Sequence, residues 1–92
     1  MRLDQQEIIN AICLHMAERK QVNPTDVEVE LLWDEDLGFS SEVVIAGRSQ
    51  FLVEANMLEA IEAYLFKEHK QRVFKNQIHL DVEDEMFADI VY

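Results

Sequence analysis

Glycine occurs twice and proline once in these 92 residues, and that scarcity excludes several chemistries at the outset. A phosphate-cradling loop or a dinucleotide fingerprint needs clustered glycines so that backbone N–H groups can approach an anion, and Gly38 and Gly47 alone cannot build either. The single cysteine, Cys13, rules out an intramolecular disulfide. Its apolar neighbours make it a small core residue rather than a nucleophile, since no histidine falls at a diagnostic distance. No apolar run approaches the roughly 18 residues of a membrane span, and Met1-Arg2-Leu3-Asp4 does not open a secretory signal, so a cytoplasmic protein without membrane contact is expected. Nothing rich in Pro, Gly or Ser divides the chain, and residues 1–92 read as a single domain.

Cations are scarce as well. Eight Lys and Arg face nineteen Asp and Glu, for a net charge of −11. The imbalance is uneven: Gln21 to Gly47 contains no Lys or Arg, whereas Lys67, Lys70, Arg72 and Lys75 form one basic island around His69. A field of this sign repels nucleic-acid phosphates and anionic membranes and attracts basic proteins or divalent cations. The partner classes that fit are a protein or a second copy of the chain, with no nucleic acid, no membrane and no cofactor. The plain alternative is acidity for solubility alone.

What is present is periodicity. Asp4 as N-cap with Glu7 three residues on forms a capping box, and Leu3 before it can pack on Ile8. Ile8, Ile9, Ile12, Cys13 and Met16 then recur at helical spacing, closing at Arg19-Lys20, where the helix dipole favours cations. After the breaker Asn23-Pro24, the alternation of Val27, Val29, Leu31 and Trp33 with Glu28, Glu30, Leu32 and Asp34 marks a half-buried strand. Asp36-Leu37-Gly38 turns the chain into Phe39 to Ala46, a β-branched strand, and Ala46-Gly47-Arg48 turns it again into Gln50 to Val53. A two-residue and a three-residue turn there give opposite side-chain registers, and both stay open. Asn56 caps a second helix with the stripe Met57, Leu58, Ile61, Tyr64 and Leu65. Ile78, Leu80 and Val82 alternate with His79, Asp81 and Glu83 in a fourth strand, and Phe87 to Tyr92 makes a short fifth.

The order α-β-β-β-α-β-β implies an α+β fold with an antiparallel sheet of about five strands and two helices on one face. The other face is then uncovered. Period-two parity puts Glu28, Glu30 and Asp34 on it, with Glu42 from the second strand, and the same parity carries Leu32 and Val44. An acidic surface crossed by apolar residues is unusual for a purely solvated sheet and suits a partner-binding face.

Chemistry is sparse by comparison. His79, Asp81 and Glu83 share one face of one strand about 6–7 Å apart, so neighbours can share a divalent cation, the alternative being a solvated polar face. Asp34-Glu35-Asp36-Leu37-Gly38 is similar to the opening of a calcium loop but lacks its later ligands, with Ile45 at the twelfth position, and reads as an acidic turn. Carboxylates on an open surface do not have the split pKa values that acid/base catalysis needs, which argues against an enzyme.

Val27-Glu28-Val29-Glu30-Leu31 through Trp33-Asp34, the Gly38-Phe39 turn, Gly47-Arg48, and Glu54-Ala55-Asn56-Met57 with Glu59-Ala60-Ile61 together resemble the YxcD-like family of short uncharacterised bacterial proteins. The resemblance implies a single-domain cytoplasmic bacterial protein and brings no activity or site residue with it.

Overall fold

The capping box at Asp4 is where the chain first commits to structure. The Glu7 amide donates to Asp4 Oδ1 (2.8 Å), the Asp4 amide reaches Glu7 Oε1 (3.5 Å), and helix α1 runs Gln5–Lys20. Leu3 and Ile8, on either side of the cap, are both buried. The computed structural model describes residues 1–91, so the end of the expected fifth strand at Tyr92 lies outside the described residues.

Before α1, Arg2–Leu3 forms strand β1, too short to show any period in the sequence. After a 3-10 turn at Pro24–Asp26 come β2 (Val27–Asp34), β3 (Gly38–Ile45) and β4 (Arg48–Val53). Helix α2 (Glu54–Glu68) follows β4 without a loop. Its N-cap is therefore Val53, with no side-chain cap, and not Asn56: Glu54 and Ala55 are good helix formers and enter the first turn directly. A second 3-10 turn, Lys75–Gln77, leads to β5 (Ile78–Val82) and β6 (Met86–Ile90).

The strands divide into two three-stranded antiparallel sheets, ordered β2-β3-β4 and β1-β6-β5, where the alternation implied one sheet of about five strands. The physical cause is β1. Arg2 and Leu3 lie opposite Asp89 and Ala88, the Ile90 amide donates to the Met1 carbonyl (2.8 Å), and Arg2 pairs with Asp89 through both carboxylate oxygens. The second side of β6 is thus taken by the N-terminus, and the β5–β6 hairpin completes its own sheet.

Both sheets turn their apolar sides to the helices. α1 packs on β2, β1 and β6, and α2 packs on α1, β3 and β4. Ile8 and Ile12 of α1, Met57, Ile61 and Leu65 of α2, and Leu3, Val43 and Val73 fill the centre. The molecule measures 36 × 33 × 20 Å, and its thinnest dimension is that of one helix layer on one sheet layer. One side of the β2-β3-β4 sheet is left without a layer.

Candidate functional site

Two turns set the geometry of that uncovered side. At the first, Asp34 Oδ1 accepts from the amides of Asp36 (2.7 Å) and Leu37 (3.1 Å), and Gly38 takes a φ of 79°, a value L-residues rarely adopt. At the second, Ala46 (φ 51°) and Gly47 (φ 78°) make a two-residue connection with Ile45 opposite Arg48, which closes the choice left open by the sequence.

The resulting register brings the expected face together row by row. Glu28 lies opposite Val44, and Val44 opposite Ser49. Glu30 lies opposite Glu42, and Glu42 opposite Phe51. Leu32 lies opposite Ser40, and Ser40 opposite Val53. Glu28, Glu30, Leu32, Glu42 and Val44 therefore share one surface. Asp34 ends the same column, but its carboxylate is committed to the turn amides. Phe51 and Val53, 63% and 61% exposed, complete the apolar half. Sequence reasoning missed these two because β4's register hung on the turn, and the Ala46-Gly47 pair was the signal that decides it.

Glu30 against Glu42 is the electrostatic centre of this face. Directly opposed side chains on adjacent strands stand about 4.5–5.5 Å apart at Cβ, a separation at which like charges destabilise the pair. Every described residue on this side is acidic, small, polar-neutral or apolar. Arg48, the only cation in these strands, points to the opposite side with Ile45.

The basic island takes no part. Lys67 pairs with Glu18 across the two helices, Lys75 lies 3.8 Å from Glu59, and the Arg72 guanidinium sits 5.3 Å over the Phe66 ring. These contacts bind the helix layer to itself, and among the described residues Glu28, Glu30 and Glu42 of the β2-β3-β4 face have no cationic partner.

The proposed cation ligands are distributed differently. His79 and Asp81 point outward from β5, opposite Asp89 and Phe87, while Glu83 lies past the strand end with its amide bonded to the Glu85 carbonyl. Asp89 is held by Arg2, and that hydrogen bond lowers the pKa of its carboxyl. Among the described residues, no three His, Cys, Asp or Glu side chains converge on a point that could hold an ion.

A concavity of about 330 Å³ lies in the α1–α2 seam, lined by Ala11, Ala17, Ala60, Tyr64, Lys67 and Glu18. His15, at its side, stands 4.0 Å from Glu59. Burial lowers its pKa, opposed by the Glu59 charge and reinforced by Arg19. Cys13, on the same helix, faces the Val27 carbonyl (3.7 Å), and burial raises its pKa, which keeps it a thiol. Thiol and imidazole thus look in different directions and do not form a nucleophile–base pair.

The family model described as "Protein of unknown function (DUF2653)" matches residues 1–85. The chain is also 31% identical to the uncharacterized protein YxcD of Bacillus subtilis (strain 168) over 68 residues, 73% of this chain and 67% of that protein. No solved structure matches. Among the described residues, no helix is long and apolar enough to cross a membrane.

Proposed function

We propose, for a chain that belongs to the DUF2653 family of proteins of unknown function, that the uncovered face of the β2-β3-β4 sheet is a non-catalytic docking surface for a basic, partly apolar protein segment. The opposed Glu30–Glu42 pair, with exposed Phe51 beside Glu42 and no cation on that face, carries this reading. A partner lysine or arginine placed there relieves the repulsion and lies over the Phe51 ring, a geometry that favours cations. Its apolar residues cover Leu32, Val44 and Val53, and each fully buried branched side chain contributes about 1.5–3 kcal/mol. A second copy laid on the same face would instead bring like carboxylates together, which favours a cationic occupant.

The test is a titration of the chain with an extended peptide of alternating Lys and Val, followed by NMR shift mapping. The expected result is a set of perturbed amides confined to β2, β3 and β4, lost in the Glu28→Lys/Glu30→Lys double variant. Exposed substitutions of this kind move stability by less than about 0.5 kcal/mol, so the variant stays folded. Perturbations centred on the Glu83–Glu85 turn, or unchanged in the variant, would refute the reading.

A further inference from the structure

The outer edge of β4 is a separate surface, and hydrogen-bond geometry defines it. In a two-residue hairpin the residues flanking the turn form the closing hydrogen-bonded pair, here Ile45 and Arg48. Hydrogen-bonded and non-hydrogen-bonded pairs alternate from there along an antiparallel ladder. Arg48, Gln50 and Leu52 accordingly turn their amides toward β3, and Ser49 and Phe51 turn theirs outward, where β4 has no neighbouring strand. We propose that this edge pairs with the same edge of a second copy, β4 against β4 about a two-fold axis, so that two three-stranded sheets become one continuous antiparallel sheet.

Charge selects a second copy as the occupant. β4 is the one strand of its sheet without a carboxylate: β2 holds Glu28, Glu30 and Asp34, β3 holds Glu42, and β4 carries only Arg48. Two chains of net charge −11 therefore meet there with their acids withdrawn. The Glu42 side chains of the two copies stand three strand spacings apart, roughly 14 Å, which exceeds the screening length of about 8 Å at physiological salt. Face-to-face packing would hold the same acids within the roughly 10 Å that separates packed sheets. At the edge, the repulsion that opposes self-association is largely screened.

The two edges of the sheet are also guarded unequally. β2 is preceded by Pro24, bears three acids, and has the Cys13 thiol of α1 against its first carbonyl. β4 has no proline, no bulge and no charge beyond its first residue, and it presents Phe51 and Val53. Natural proteins avoid leaving such an edge open, because its unpaired backbone groups template another strand. Setting Ser49 of one copy against Phe51 of the other satisfies those groups and covers part of both rings. The acidic face stays outward in the pair and is doubled in length. This inference stands whether or not a basic segment binds that face.

The test combines light scattering with hydrogen exchange of the full chain at about 100 µM and about 1 µM, a span over which mass action shifts a micromolar dimer. Twice the chain mass is expected at the higher concentration, with the outward amides of Ser49 and Phe51 exchanging several-fold more slowly there than at the lower one, the hundredfold change in concentration setting an upper limit of about tenfold. Ser49→Pro removes an outward amide while leaving the β3–β4 ladder intact, and should give the single-chain mass with a cooperative unfolding transition that no longer shifts with protein concentration. Glu28→Lys/Glu30→Lys should keep the doubled mass, which separates this inference from the docking reading. A wild-type protein of single-chain mass at the higher concentration would overturn it. So would a doubled mass with no concentration-dependent protection in residues 48–53, or a folded Ser49→Pro that associates as before. Should Ser49→Pro fail to fold, the exchange of the wild-type protein decides alone.

Discussion

Among the described residues, Ser41 is the one polar residue with a fully buried side chain, and its hydroxyl has no hydrogen-bond partner there. It sits on the helix-facing side of β3, between Leu31 and Leu52 on the neighbouring strands. A buried hydroxyl without a partner carries its desolvation cost uncompensated, about 1–3 kcal/mol. Ser41→Ala should therefore hold or raise the urea midpoint, by up to about 1 kcal/mol of stability, although it shortens a core side chain. A loss of that size in the same unfolding series would mean that the hydroxyl is satisfied in solution. The Glu30–Glu42 pair is the outward counterpart: a contact unfavourable for the isolated chain, on the face proposed to receive a partner. Both residues were legible in the sequence as strand positions. Their opposition was not, because register depends on the turns at Asp34–Gly38 and Ala46–Gly47, which a period-two pattern does not fix.

The helices and strands themselves differ in how plainly the sequence announces them. α1 declares itself through the Asp4–Glu7 box, which is formed in the structure, and through Leu3 and Ile8, both of which are buried. α2 is visible as a stripe, yet its start was displaced because β4 runs into it with no loop to mark the boundary. β1 left no trace, since two residues carry no periodicity, and with it went the division into two sheets. Where α1 meets α2, His15 lies among Glu59, Glu18, Arg19 and Lys67, and burial lowers its pKa. The unfolded chain, with its ordinary histidine value near 6.5, takes the proton first as pH falls. The stability that the neutral imidazole contributes is thus fully present above that value and is lost as pH falls through the lower native value. His15→Gln should flatten the stability profile on the acid side of neutrality, measured by urea unfolding at stepped pH. An NMR titration placing the native His15 pKa at or above the ordinary histidine value would contradict this.

At the scale of the whole molecule, the uneven charge read from the sequence becomes a layered arrangement. The cations Lys67, Arg72 and Lys75 are spent within and beside the helix layer, while the acids of β2 and β3 face outward unneutralised. A chain of net charge −11 attracts any basic peptide through its overall field, so the decisive question is whether binding is local to the sheet. Two variants of identical net charge separate the alternatives: Glu42→Gln on the face, and Glu85→Gln in the exposed β5–β6 turn. The measurement is the calorimetric affinity of the alternating Lys/Val peptide for each. A local site predicts a loss of roughly 5–10-fold for Glu42→Gln, as expected for one partly desolvated charge pair of about 1 kcal/mol, and little change for Glu85→Gln. Equal losses in the two variants would mean that the peptide responds to total charge alone, and would contradict a binding face on the β2-β3-β4 sheet.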